Sequence, residues 1–314
     1  MKSYLRKHLS TIIKVLVTVV GLAIVVGTVD LSEVGSLLLT TDGRWVGLAF
    51  VLVLISLVLR AYRWLLLLRG LGTKLRFGRL VELYFVGSFF NAFLPAGLGG
   101  DAIRIIEVAH DVPADIAAGT VIVDRMSGLM MQFLVVLIVL PFRPDNFPSS
   151  LTWLLTGVSL VGLVGGMVLL EGSLIRRFGR FLPAKLSPVG EGPIAKLLAA
   201  VQGCGWPAII KAMLVSMLFN LMLLTWWWAD SRALAYAVPY TYFFLAVPIM
   251  SIALLLPSIG GLGTREVLAP MLFGPAGLND HQAVALSLLV FITLRLAGLI
   301  GAPVYLWTLW RKRG

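Results

Sequence analysis

Charge is what this sequence has least of. Only 13% of its 314 residues are charged, where soluble proteins carry about 25%. Cysteine is nearly absent too: Cys204 stands alone, which excludes a disulfide framework within the chain and any cysteine-based metal cluster. The three histidines, His8, His110 and His281, are far apart and show no ligand spacing, so no metal site is expected. No HExxH, GxSxG or Walker A motif occurs, and no paired-carboxylate site is visible. The motifs ask for no cofactor, and the chain is not expected to be an enzyme.

What is present is apolar. Hydrophobic residues make up 59% of the chain, and apolar runs near the roughly 20 residues needed to cross a bilayer recur throughout. Full spans are expected at about 12–29, 45–68, 118–140, 151–170, 207–229 and 284–308. The N-terminus has signal-peptide character, with Lys2, Arg6 and Lys7 before an apolar run. No small-x-small cleavage site follows, so this run is read as a retained first span. The net charge of +11 would suit nucleic acid, but the basic residues sit at the edges of apolar runs, as juxtamembrane anchors do. No nucleic-acid partner is expected; anionic lipid fits better.

Eighteen of the 26 Lys and Arg residues fall in residues 1–14, 60–79, 171–196 and the C-terminal tail. The stretches near 30–44, 141–150 and 230–237 hold only Arg44, Arg143 and Arg232. The positive-inside rule puts the rich segments, and both termini, in the cytoplasm of a multi-pass cell-membrane protein. Two further apolar stretches, 80–94 and 238–256, run into Pro/Gly-rich segments and resume as short helical pieces at about 102–112 and 264–273. The charge pattern makes the first enter and leave by the cytoplasmic face and the second by the outer face. The expected fold is therefore an all-α polytopic membrane protein with about six full spans and two re-entrant broken helices. It forms a single integral domain, 1–314, with inverted halves at about 1–145 and 146–314, as in many secondary transporters. A polar insert at about 171–206 suits either an interfacial amphipathic helix or a solvated loop.

Irregular backbone at membrane depth survives only when buried in protein or facing a cavity. The two Gly-rich turns are therefore the candidate site. One runs from Pro95 through Gly99 and Gly100 to Asp101 and Arg104; the other from Pro257 through Gly260, Gly261 and Gly263 to Arg265 and Glu266. Proline interrupts the incoming half-helix. The outgoing half-helix then aims unsatisfied N–H groups into the site, a natural phosphate position. Arginine adds a permanently charged bidentate clamp. Arg104 and Arg265 are the leading headgroup ligands, with Asp101 favoured as an N-cap. Asp124, Arg125 and Arg295 are ionisable groups inside apolar spans, where each costs about 2.5–3.5 kcal/mol on insertion scales; Glu82 and Glu266 are available as partners. Asn91 bonds either a neighbouring helix or a ligand. Arg60 and Arg63 rank as interfacial anchors, and Trp226, Trp227 and Trp228 as an interfacial belt.

The run Phe89-Phe90-Asn91-Ala92-Phe93-Leu94-Pro95, the Gly-Gly-Asp with Arg104, Val123-Asp124-Arg125, and Pro257 to Glu266 together resemble the lysylphosphatidylglycerol synthase transmembrane region. That flippase-like family includes archaeal proteins of dolichol glycosylation. The resemblance covers nearly the whole chain and implies lipid flipping or presentation. It carries over to Asn91, Pro95, Gly99, Gly100, Asp101, Arg104, Asp124, Arg125, Gly260, Gly261, Gly263, Arg265 and Glu266. In the two-part synthases of the family a separate cytoplasmic domain makes the aminoacylated lipid. This sequence stops just past its last span, so it is not expected to aminoacylate lipids.

Three functions follow. The first is a flippase or transporter for an anionic phospholipid or polyprenyl-phosphate lipid. The second is a non-transporting lipid-binding accessory of a membrane glycosyltransferase or lipid-modifying enzyme. The third, an intramembrane enzyme on lipid phosphate, lacks a nucleophile–base pair. A homo-oligomer is left open.

Overall fold

The structure, a computed structural model, describes residues 19–93, 99–143, 147–179, 192–253 and 262–311, with Leu16 and Asp145. Pro95, Pro257, Gly260 and Gly261, on which the two expected turns rest, lie outside the described residues. So does much of the insert.

The protein is all-α. Five helices have the length and hydropathy to cross a bilayer: Gly43–Gly70, Ala114–Phe142, Ser149–Glu171, Trp206–Ala233 and Asp280–Thr308. These are the five expected spans from 45–68 onward, each extended by a few residues. We label them α3 (Gly43–Gly70), α6 (Ala114–Val139), α7 (Ser149–Glu171), α10 (Trp206–Ala233), and α13 (Asp280–Leu299) continued by α14 (Gly301–Arg311). Their starts carry ordinary cap chemistry. Asp42 accepts the Arg44 N–H at 2.9 Å, and Asn279 and Gln282 cap each other reciprocally at 2.8 and 3.1 Å, each satisfying N–H groups that the first turn leaves orphaned.

The first span differs from expectation. Its described part, α1 (Val19–Thr28), is followed by α2 (Leu31–Leu39) at 89°, where a loop was expected. Asp30 is the cause, because its side chain accepts the Ser32 N–H at 2.8 Å and starts a new helix in a new direction.

Both expected broken elements appear as pairs of short helices: α4 (Phe77–Phe93) with α5 (Gly99–Val108), and α11 (Phe243–Ala253) with α12 (Thr264–Phe273). At 1.5 Å per residue the longest of them spans about 25 Å, short of the roughly 30 Å hydrocarbon core. The insert contributes α8 (Ser173–Gly179) and α9 (Pro193–Gly203). α9 is neither a free loop nor a purely interfacial helix, since it packs on α6 with Leu198, Ala200 and Val201 buried.

α3 and α10 form the central antiparallel pair. Asp42 N–H bonds Ala233 O at one end, and a Cβ on Gly70 would meet Cys204 O at the other. Each hairpin packs on the last long helix of the other half of the chain, α4 on α13 and α11 on α6.

Within the first hairpin the two backbones approach closely at Gly100. A Cβ there would lie 2.2 Å from Gly87 O and 2.5 Å from Asn91 Nδ2. Gly100→Ala is therefore expected to push α5 off α4 and lower stability by about 1–3 kcal/mol, the usual cost of overpacking. Gly78→Ala serves as the control, with no atom within 4 Å of its new methyl. The readout is the melting temperature in detergent; equal melting of the two variants would contradict the tight contact.

Candidate functional site

Two groups of ionisable side chains are buried between these helices, and they differ in one respect. In the first, Arg63, Arg104 and Arg125 each have a carboxylate partner.

In that first group α6 presents Asp124, which is completely buried. Arg63 of α3 donates from Nε to Asp124 Oδ1 at 2.7 Å and from Nη1 to Ser216 Oγ at 3.0 Å. Arg104 of α5 donates to Asp124 Oδ2 at 3.3 Å, and the Tyr84 hydroxyl of α4 donates to the same oxygen. One helical turn before Arg104, Asp101 accepts from Arg104 Nη2 and from Arg125 Nε. The Arg104 guanidinium also lies 4.1 Å from the Tyr84 ring centroid and 5.0 Å from that of Trp64. Five helices thus converge on two aspartates. Asp101 is an ion-pair bridge in the first turn of α5 rather than a simple cap.

Arg63 corrects an expectation. It is not an interfacial anchor: it is 3% exposed and deep in this network. Arg60, one turn earlier, turns inward as well, over the rings of Tyr84 and Phe219. Glu82, one of the two carboxylates available as partners, pairs with Arg79, which also reaches Glu107 and Asp111. A cavity of about 650 Å³ adjoins that mixed-charge set.

The second group lies on α12 and α13. Gly263 begins α12 with φ of +83°, a conformation cheap only for glycine. Its N–H donates to Glu266 Oε2 at 2.8 Å, while Ser287 donates to Glu266 Oε1 at 3.1 Å. Glu266 is thereby committed to holding the helix start and its contact with α13. Arg265 is only 2% exposed, yet its Nε and Nη2 have no hydrogen-bond partner among the described residues. Arg295 gives one bond, from Nη1 to the Asn91 backbone oxygen at 2.8 Å, and its Nε has no partner. Both guanidiniums face the Phe291 ring, at 5.2 Å for Arg265 and 4.6 Å for Arg295. Among the described residues no carboxylate lies within 4.0 Å of either.

Asn91 connects the two groups. Its backbone oxygen takes Arg295, and its side-chain oxygen accepts the Gly100 N–H of α5 at 2.8 Å. Of the two alternatives open to it in the sequence, it bonds neighbouring helices. Gly99 and Gly100 form the first turn of α5.

The sequence reasoning passed over Asp230. It is fully buried in α10, with Oδ1 accepting from Thr293 at 3.1 Å and Oδ2 without a partner among the described residues. Ending the span at 229 hid it; α10 runs on to Ala233. Trp226 and Trp227 are not a belt either. They are 5% and 4% exposed, and Trp227 stacks on Phe273 at 6.0 Å. Trp228 packs edge-on against Trp45 and Tyr240.

Chemically, the first group is a network of ion pairs in which three arginines share two aspartates. The second is a pair of cations, Arg265 buried and Arg295 half-buried, beside a helix N-terminus and able to accept an anion.

Comparison with known proteins gives the family. Residues 11–301 match the family described as the lysylphosphatidylglycerol synthase TM region. A UPF0104 membrane protein of Pyrococcus horikoshii is 26% identical over 290 residues, covering 81% of this chain and 83% of that protein. Another, from Methanocaldococcus jannaschii, is 23% identical over 289 residues, covering 83% of each. The glycosyltransferase AglD of Haloferax volcanii is 29% identical over 126 residues, 40% of this chain but 20% of that protein.

Proposed function

Because this chain belongs to the lysylphosphatidylglycerol synthase transmembrane family, we propose that it binds the anionic headgroup of a phospholipid or polyprenyl-phosphate lipid and flips that lipid across the cell membrane. The observation that carries this is that, around Phe291, Arg265 Nε and Nη2 and Arg295 Nε are buried with no hydrogen-bond partner among the described residues. Each buried donor left unsatisfied costs about 1–3 kcal/mol, and two like charges close together add repulsion. One phosphate group removes both costs, because its oxygens accept from the planar guanidinium fork. The first turn of α12 contributes its N–H groups and positive dipole end to the same anion.

The exchange of partners between halves, α4 on α13 and α11 on α6, supports an inverted pair of units rocking about a shared site. On this reading the arginine-rich segments and both termini face the cytoplasm. Arg63, Arg104 and Arg125 with Asp101 and Asp124 then form the rigid counterpart, while the headgroup visits Arg265 and Arg295.

A second reading draws on the partial match to a glycosyltransferase. In it the chain presents lipid to a partner enzyme and does not flip it. Proteoliposomes separate the two. With fluorescent phosphatidylglycerol, its lysyl ester and a polyprenyl phosphate, the parent is expected to accelerate flipping of at least one lipid. Arg295→Ala is expected to slow that flipping at least roughly tenfold, since losing one charge-assisted contact costs about 1.5–3 kcal/mol. Parent and variant rates that coincide for every lipid sink the site; lipid binding without flipping supports the presenting role.

A further inference from the structure

Around Arg265 and Arg295 most elements are bolted together by polar contacts. α12 is tied to α13 through Glu266 and Ser287, α13 to α10 through Thr293 and Asp230, and α13 to α4 through Arg295 and Asn91. The helix α1 is different. Within it only Gly21, Val25 and Val29, the last just past its end, are buried, and they fall on one stripe at intervals of four. Val19, Val20, Ile24 and Val26 are exposed. Among the described residues the body of α1 makes no hydrogen bond or ion pair to another helix; the Thr28 hydroxyl bonds back to Ile24 and Val25.

Its glycine contact is with the site. A Cβ on Gly21 would fall 2.7 Å from the Cα and carbonyl carbon of Gly263 and 2.9 Å from its oxygen. The α1 backbone therefore presses on the residue that starts α12, two positions before Arg265. At its other end α1 stops in the 89° bend into α2. That bend is fastened to the first turn of α13: His281 Nδ1 accepts the Asp30 N–H at 3.2 Å, and His281 Nε2 lies 3.5 Å from Glu33. So α1 is a bar pinned at its hinge and held, among the described residues, by apolar packing along its length.

In water, parting that stripe would expose valines at a cost. In a bilayer it does not, because lipid tails are as apolar as the side chains, and only van der Waals packing resists separation. From this geometry we infer that α1 is the lateral gate for the hydrocarbon chain of the lipid, swinging on the Val29–Asp30 hinge away from Gly263 so that a long acyl or polyprenyl chain enters while its headgroup reaches Arg265. This rests on the function proposed above, and it adds where the chain passes and which element moves.

Tethering tests it. Leu22→Cys with Leu262→Cys, each beside one glycine of the contact, is joined in a Cys204→Ala background by a short bis-methanethiosulfonate, which forms a reducible disulfide with each cysteine and releases sulfinate. Glu33→Cys with His281→Cys, joined in the same way, holds the hinge but leaves α1 free to swing. Exchange of fluorescent phosphatidylglycerol and of fluorescent polyprenyl phosphate is followed in proteoliposomes. The Leu22–Leu262 tether is expected to slow exchange at least tenfold, with recovery on reduction, while the hinge tether leaves it unchanged. A response confined to one lipid identifies the chain that uses the gate. Unchanged exchange with the Leu22–Leu262 tether, or equal inhibition by both tethers, overturns the gate. An Arg265→Ala arm keeps the two readings apart: if it exchanges lipid at the parent rate while the tether still blocks, the headgroup site is wrong and the gate stands.

Discussion

Asp124→Ala is expected to cost about 3–5 kcal/mol of stability, the usual penalty for breaking a buried ion pair from one side. The carboxylate holds Arg63, Arg104 and the Tyr84 hydroxyl at once, so its loss leaves two buried guanidiniums short of an acceptor. At about 2–4 °C per kcal/mol, the melting temperature in detergent should fall by roughly 6–20 °C. Asp124→Asn, which keeps an acceptor oxygen but no charge, should fall between parent and alanine. Removing Arg63 together with Asp124 should cost less than the two single losses combined, because each single variant strands its partner. An Asp124→Ala protein that melts with the parent would show that the network holds nothing.

Arg265→Leu should act in the opposite direction on stability. Here the buried guanidinium has two nitrogens without partners, so an apolar side chain in its place removes a desolvation cost and strands no carboxylate. Replacing buried charge with apolar volume is often neutral or stabilising by about 1–4 kcal/mol. Lipid binding should collapse at the same time. Truncating one side of a buried charge pair costs about 2–5 kcal/mol of affinity, roughly 30- to 3,000-fold at 1.4 kcal/mol per factor of ten. Arg265→Lys should not restore it, since an ammonium cannot supply the planar fork. The measurements are the melting temperature without added lipid and the affinity for the lipid that the parent flips. A variant that melts lower and binds normally would remove Arg265 from the site.

These opposite signs trace the limit of what sequence discloses. The five long spans were legible because hydropathy reports removal from water, and lipid and protein interior look alike in that respect. For the same reason it could not tell a lipid-facing residue from a packed one. Trp226 and Trp227 read as a belt and prove buried, while Trp153 of α7 is exposed. Arg60 and Arg63 near a span end read as anchors, yet a helix carries both on one face, and that face meets α4, α6 and α10. The arginines after the two glycine segments were visible from their spacing to proline. Which of them is neutralised depends on contacts between positions far apart in the chain: 63 with 124, 101 with 125, 91 with 295. Asp230 was hidden by a boundary placed one residue too early.

Asn91 has a consequence for how one half of the protein senses the other. Its carbonyl competes with any incoming anion for the Arg295 guanidinium, and its amide oxygen holds the start of α5. On the function proposed above, an anion that draws Arg295 off the Asn91 carbonyl pulls on the same residue that steadies the opposite hairpin.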